Sequence, residues 1–444
     1  MWLKTIMGYA VKYSILVPRN LLIRALRRVT GYLVFPVALV VLVGCSLSAR
    51  RDTLRRQRSK AKPRLIFGPT PLFIIKYIRR AMEQLGYEAR TLVYWIAIIN
   101  TRADYDYFLG DFFRCRLLQR GSPICSPWLT YFQHFSVFLW LLSRFDIFHY
   151  FFDGGFLAGT PLRFLEVQLL HLAGKKVIVM PYGSDVMEQT RFHSLIFRHH
   201  IMAQYPQFAF TRRQIEKQID YFCTRADFIL GAGIILDVLP RWDLLCLHPF
   251  PIDTEAWAPD DYWSDADGKN GEVSIFHSPN HRWLKGTEFL ERACQELQQE
   301  GYKIRLVIVE KVSNTEVQRL LGQSDILAEQ FGMPWYGLNA IEGMSLAKPV
   351  LSDLSDKYYT ELFIRYTGLD ECPIVNTPFD KIKENLRMLI ENPKLRRELG
   401  EAGRRYVLKF HSYEAVGRMW EAIYRKVWYG EDIDLAVWHP DRAV

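Results

Sequence analysis

Twice along this chain, short apolar segments alternate with stretches that carry helix start and stop signals, and no other feature restricts the fold as strongly. In the first set RLIFG reads as a strand, Pro71 to Leu85 as a helix closed by Gly86, and EARTLVY as the next strand. FDIFHYFF is a further strand; after it the pattern predicts a helix with Thr160 as N-cap, Pro161 at its first position and Gly174 past its end, then the strand KKVIVMP. The second set starts at EVSIF. Thr287 is expected to cap a helix ending before Gly301, followed by the strand KIRLVIVE, the start of another in DILAE, a helix from Gly337, and the strand KPVLS. Thr377 with Pro378 opens one more helix, and the last strong one runs from about Ser412 to Trp428. Such alternation demands parallel sheets covered on both faces.

Between the two sets, residues 250–271 hold six acids, two prolines and two tryptophans and read as a linker. The expected organisation is a basic, apolar segment over 1–63, a Rossmann-like domain over 64–250, a linker over 251–271, a second Rossmann-like domain over 272–411, and a helix with a tail over 412–444. Two such halves place a ligand in the cleft between them, outside the carboxyl ends of the strands. With 444 residues, 49% of them apolar and 24% charged, the chain can bury large cores, which excludes wholesale disorder. Its seven cysteines form no C-x-x-C pair, which argues against a zinc ribbon or a disulfide framework.

The formal charge of +9 is unevenly placed. Residues 1–64 carry fourteen Lys or Arg against Asp52 alone, so the remainder is mildly acidic at −4. This excess flanks one uncharged run, Val29 to Ala49, and points to an anionic membrane surface rather than a nucleic acid. As a helix its twenty-one residues reach about 31 Å, just enough to span. Six basic residues precede it and eight follow, which puts the body on the cytoplasmic side. Pro36 also allows a re-entrant hairpin, and a buried core helix is the third option. Ser122 to Ser143, likewise uncharged, reads as a buried or membrane-facing helix, and His199 with His200 as surface residues of an amphipathic basic stretch.

Two segments of the second half carry the chemistry. HSPNHRWLKGTEFL, His277 to Leu290, joins a strand to a helix through a loop holding Arg282 and Lys285, with Gly286 permitting close approach; free helix-tip amides and two cations suit a diphosphate, and a solvated basic loop fits the same residues. In FGMPWYGLNAIEGMSLAKPVLS, Phe331 to Ser352, Gly337 opens a helix and Glu342 lies one and a half turns in, where a carboxylate can accept two hydrogen bonds from vicinal hydroxyls. An ordinary surface glutamate is the alternative.

Together these segments resemble the nucleotide-sugar half of retaining GT-B glycosyltransferases of the large family that builds polysaccharides, glycolipids and O-antigens (glycosyltransferase family 4, or group 1). The resemblance extends over about residues 64–428 and includes PYGSDV, Pro181 to Val186, similar to the family's HGSD turn, and RADFIL…PFPIDTEAW, which commonly ends its first domain. It implies an α/β GT-B fold with an interdomain cleft, preceded here by the N-terminal membrane-associated segment. It also implies Lys285, with Arg282, on the diphosphate, Glu342 on the ribose, and the amides around Gly337, Leu338 and Asn339 near the phosphates. Tyr182, Gly183 and Ser184 fall on the acceptor side. Two positions depart from the pattern: Pro334 occupies the place of the first of two family glutamates, leaving Glu329 or Gln330 as the nearby substitute, and Tyr182 replaces the histidine.

The activity this implies is sugar transfer, with retention, from a nucleoside-diphosphate sugar to a lipid-linked or polysaccharide acceptor. Lys285, Arg282 and the helix tip would stabilise the departing diphosphate. Asp185 is the carboxylate nearest by motif, a loop cap being its other reading. The resemblance requires neither metal nor cofactor, the donor being a substrate. The rival expectation is a catalytically silent nucleotide-binding partner in a polysaccharide-assembly complex; a nucleotide-sugar epimerase is a weaker third.

Overall fold

The computed structural model describes residues 35–96, 100–112, 127–260 and 262–441. Two parallel sheets organise it. The first has seven strands: β1 (Leu65–Phe67), β2 (Ala89–Val93), β3 (Tyr107–Phe108), β4 (Ile147–Tyr150), β5 (Lys176–Val179), β6 (Phe228–Ala232) and β7 (Leu244–Cys246), in the order β3-β2-β1-β4-β5-β6-β7. The second has five: β8 (Val273–His277), β9 (Ile304–Ile308), β10 (Ile326–Gln330), β11 (Val350–Ser352) and β12 (Val375–Asn376), in the order β12-β11-β10-β8-β9. The strand order reverses beside β1 and β4 in one sheet and beside β8 and β10 in the other; crevices for ligands open at such reversals. Every residue of β1, β4, β8 and β10 is buried, because helices cover both faces.

Two helix starts differ from the sequence expectation. The helix before β5 spans Glu166–Leu172 and does not begin at Thr160. The buried Glu166 carboxylate accepts the amides of Phe156 and Leu157, each at 2.8 Å, and the Tyr150 hydroxyl at 2.6 Å, which holds the preceding segment in turns. Thr287 opens the helix Thr287–Gln299 but does not cap it: Gly286, at φ +68°, takes that place, and the Thr287 hydroxyl bonds His277 Nε2 at 2.9 Å. The last helix, Tyr413–Tyr429, is capped by Ser412 and returns to the first sheet's layer, where Met419, Trp420, Ile423 and Tyr424 bury against Ile74, Ile78 and Met82 of helix Phe73–Gln84. Burial of each such side chain contributes about 1.5–3 kcal/mol.

At the N-terminus, residues 29–34 of the expected anchor lie outside the described residues, as does any first arm of a hairpin turning at Pro36. The rest is one helix over 35–58 that continues through the apolar run into the basic cluster. Leu42, Ser46 and Thr53 bury against the body, while Val37, Val40, Val41 and Leu47 remain exposed. No helix among the described residues is long and apolar enough to cross a membrane. Arg56 ties this helix to Asp146, which also takes Arg64 at 3.0 Å and Lys175 at 3.2 Å. The uncharged stretch after Ser122 gives helix Pro127–Leu142, with Phe138, Leu141 and Leu142 in the first core. His200 departs from its expected surface position: it is buried, with Nδ1 donating to Gly332 O at 2.9 Å, because its helix packs against the second half.

Candidate functional site

The topological reversal of the second sheet brings most of the expected donor residues to the carboxyl ends of its central strands, β8 and β10. After β8 the chain makes one helical turn, Arg282–Lys285, which Gly286 ends in the left-handed conformation; a Cβ there would meet Phe331 Cβ at 2.9 Å, so both backbone and packing demand glycine. The turn carries Lys285 across to the end of β10, where its ammonium pairs with the buried Glu329 carboxylate and reaches Gln330 Oε1 at 2.8 Å. Ser352 on β11 donates to the other Glu329 oxygen at 3.0 Å. Gly337, N-cap of helix Leu338–Ser345, lies against the same carboxylate: a Cβ there would stand 3.2 Å from Glu329 Oε1. Thus Lys285, Glu329, Gln330 and Gly337 form one cluster.

In the first turn of that helix both polar atoms of the Asn339 side chain are buried and unpaired. Glu342, one turn further, is buried and accepts Asn314 Nδ2 at 3.1 Å; burial pushes its carboxyl up to about 7, against Asn314's hydrogen bond and the Lys285 charge. Leu338 packs against the core of the first sheet, as does Tyr182, so the helix tip faces the other half. His277 is neutral, its pKa lowered by burial to about 4; Nδ1 donates to Ala328 O at 2.7 Å and ties β8 to β10. Arg282 is placed differently: its guanidinium bonds Glu288 at 3.1 Å and Glu291 at 2.8 Å, with Glu310 at 3.8 Å, so reaching a diphosphate would require it to leave three carboxylates.

On the first half, the PYGSDV turn follows β5 and Asp185 is buried within it. Both its oxygens are occupied: Oδ1 accepts the amides of Tyr182 at 3.1 Å and Gly183 at 2.9 Å, and Oδ2 that of Phe152 at 3.0 Å. The loop-cap reading describes this geometry. Gly183, at φ +130°, makes the turn possible. Tyr182 and Ser184 flank it, beside Asp153 at the end of the β4 strand. Sequence reasoning missed Asp153, Asn314 and Ser352: Asp153 lies just past β4 and Asn314 opens the helix after β9, both outside any motif, while Ser352 ends β11 within the second motif segment, where only its strand-end position could have flagged it.

No protein-family model and no curated protein matches the sequence. Solved structures do match in fold. Sucrose-phosphate synthase from Thermosynechococcus elongatus aligns with a TM-score of 0.50 at 12% identity, covering 83% of this chain and all of the other. HepE of Anabaena in complex with UDP aligns with a TM-score of 0.51 at 10% identity, covering 82% of this chain and all of HepE; its complex with UDP-glucose gives 0.50. The two parallel sheets with their surrounding helices form a GT-B-like fold of two Rossmann-like domains.

Proposed function

We propose that the protein transfers a sugar, with retention, from a nucleoside-diphosphate sugar to a lipid-linked or polysaccharide acceptor at the cytoplasmic face of a membrane. The observation that carries this reading is the convergence, past the carboxyl ends of β8 and β10, of the Lys285 ammonium, a helix tip with an unpaired Asn339 amide, and the buried Glu342 carboxylate. The same arrangement suits a nucleoside diphosphate: helix-tip amides and Lys285 for the phosphates, Glu342 for ribose hydroxyls. UDP and UDP-glucose in the two HepE complexes agree with that ligand class.

In the proposed reaction the acceptor oxygen bonds the anomeric carbon on the same face from which the bond to the diphosphate breaks, so the configuration is retained. Lys285 and the helix tip stabilise the charge that develops on the leaving group. Glu329, beside Gly337 where the family pattern has lost its carboxylate to Pro334, faces the donor sugar. The basic flank and exposed valines of helix 35–58 hold the body at an anionic surface, near a lipid-linked acceptor.

Isothermal calorimetry with UDP tests the site. Glu342→Ala and Lys285→Ala should each weaken binding about 10- to 100-fold, the loss of a charge-assisted hydrogen bond of about 1.5–3 kcal/mol. Lys285→Ala is made together with Glu329→Gln, since a buried carboxylate stripped of its partner costs about 3–5 kcal/mol of stability and would obscure the result. Unchanged affinity in both variants removes the donor site. One observation favours a second reading, a nucleotide-binding partner without turnover: Lys285 is already neutralised by Glu329. Transfer of radiolabelled sugar into membrane lipid separates the two.

A further inference from the structure

The reversal point of the first sheet holds a carboxylate that the donor site does not use. The chain leaves β4 as Phe151-Phe152-Asp153-Gly154-Gly155, a tight turn closed by Gly154 N–H to Phe151 O at 3.3 Å. Both glycines are required. Gly154 has φ +130°, and a Cβ on Gly155 would collide with the Glu166 carboxylate. Two buried side chains then clamp the backbone: Gln218 Nε2 donates to Phe152 O at 3.0 Å and to Asp153 O at 2.9 Å, while Asp185 Oδ2 accepts Phe152 N–H at 3.0 Å. The residue so held is Asp153. Its Oδ2 accepts the Thr70 hydroxyl, from the loop after β1, at 2.8 Å, yet its Oδ1 is buried without any hydrogen-bond partner.

Leaving a buried carboxylate oxygen unpaired costs about 1–3 kcal/mol or more, and a fold that clamps the surrounding backbone while tolerating that cost has reserved the oxygen for a ligand. The position agrees: β1, β4 and β5 end here, at the strand reversal, beside Tyr182 and next to the cluster into which Leu338 of the donor-site helix packs. We propose that Asp153 binds the acceptor's hydroxyl through Oδ1 and takes its proton as the sugar transfers. The acceptor oxygen forms its bond to the anomeric carbon, the carbon–oxygen bond to the diphosphate breaks with its electron pair on the diphosphate, and the hydroxyl proton passes to Asp153. This rests on the sugar-transfer reading above.

Burial supports the role by pushing the Asp153 carboxyl up to about 6, which leaves it charged at neutral pH but more basic than an exposed aspartate. The groups facing it are Thr70, the backbone amides of Asp153 and Gly154, and Arg163, all of which oppose that rise, together with Asp185 and the Tyr182 hydroxyl from the loop after β5, which lies close enough to interact with the carboxyl. A base of this kind gives activity that rises with pH through about 6. Asp185, with all its contacts to backbone amides, holds the loop.

The test uses the full chain with radiolabelled UDP-glucose, UDP-N-acetylglucosamine or GDP-mannose and total membrane lipid. Asp153→Asn should bind UDP within about twofold of wild type in calorimetry, melt no lower than wild type, lose transfer by at least about 100-fold, and lose the acidic limb of the pH profile. Transfer within threefold of an active wild type refutes the role of Asp153 alone. A lowered melting temperature with equal loss of UDP binding marks a merely structural carboxylate and also refutes it. No transfer by the wild type with any of the three donors refutes the sugar-transfer reading, and the role of Asp153 with it.

Discussion

Glu342 shows what a single buried acid does to its protein. Burial raises its carboxyl from 4.5 to about 7, so between those values the folded chain holds a proton that the unfolded chain has released. Its contribution to stability is therefore full below about pH 4.5 and is lost as pH rises through about 7. Glu342→Gln has no such proton to lose. Its melting temperature relative to wild type should climb from pH 5 to pH 8, measured by calorimetry without ligand; a constant gap would mean that the carboxyl is not held up by burial. The buried histidines titrate in the opposite sense, but they are common to both proteins and cancel in the difference. Neither this shift nor the Lys285–Glu329 pair is legible in the sequence, because each depends on the depth at which a side chain ends up.

At the level of elements, the clearest lesson is the segment from Phe156 to Leu165. Thr160-Pro161 has the composition of a helix start, yet the Thr160 hydroxyl donates to Leu157 O at 2.9 Å and accepts Leu162 N–H at 3.1 Å, a local turn. Glu166, 2% exposed, decides the matter by fixing two amides and a tyrosine hydroxyl from outside the helix. Glu166→Ala should cost about 3 kcal/mol or more in urea denaturation, since it leaves three buried donors unpaired at about 1–3 kcal/mol each. A loss below about 1 kcal/mol would show that the turns hold themselves. Strand identities, by contrast, were readable: RLIFG, EARTLVY, FDIFHYFF, KKVIVMP, EVSIF and KIRLVIVE all contain strands of the two sheets, because continuous apolar runs between turn signals have no exposed alternative.

For the whole molecule, the two halves meet along one side through His200 on Gly332 O, Tyr205 on His281 at 2.6 Å, and Tyr359 on Asp237 at 2.5 Å. The two chain crossings run side by side, with Ile252 N–H donating to His411 O at 2.8 Å. The final helix locks the second crossing onto the first lobe, where Trp420 Nε1 donates to Pro249 O at 2.8 Å and the Tyr424 hydroxyl to His149 Nε2 at 2.9 Å. The N-terminal helix lies on the same lobe, and its removal tests the proposed membrane association. A protein lacking residues 1–62 should keep UDP binding, since the donor cluster lies in the other lobe. It should no longer sediment with vesicles containing about 30% anionic lipid, whereas the full chain does. Equal sedimentation of the two would assign membrane contact elsewhere. The truncated form should also melt lower, because Asp146 loses Arg56 and the body loses the packing of Leu42.

What the sequence determined by itself was local and periodic: where strands run, that they pair in parallel in two sets, and that Lys285, Gly337 and Glu342 lie just beyond strands of one set. Apolar periodicity, turn residues and chain connectivity act over a few residues and need no knowledge of the partner surface. Only the tertiary structure decided which charges are already spent. It gave Arg282 to three glutamates, Lys285 to Glu329 and the Asp185 oxygens to backbone amides, and it left Asp153 Oδ1 and the Asn339 amide without partners. Hydrogen bonding in a buried site is settled by groups distant in sequence and close in space, and whether a polar atom is free for a ligand follows from the folded neighbourhood and not from the residue that carries it.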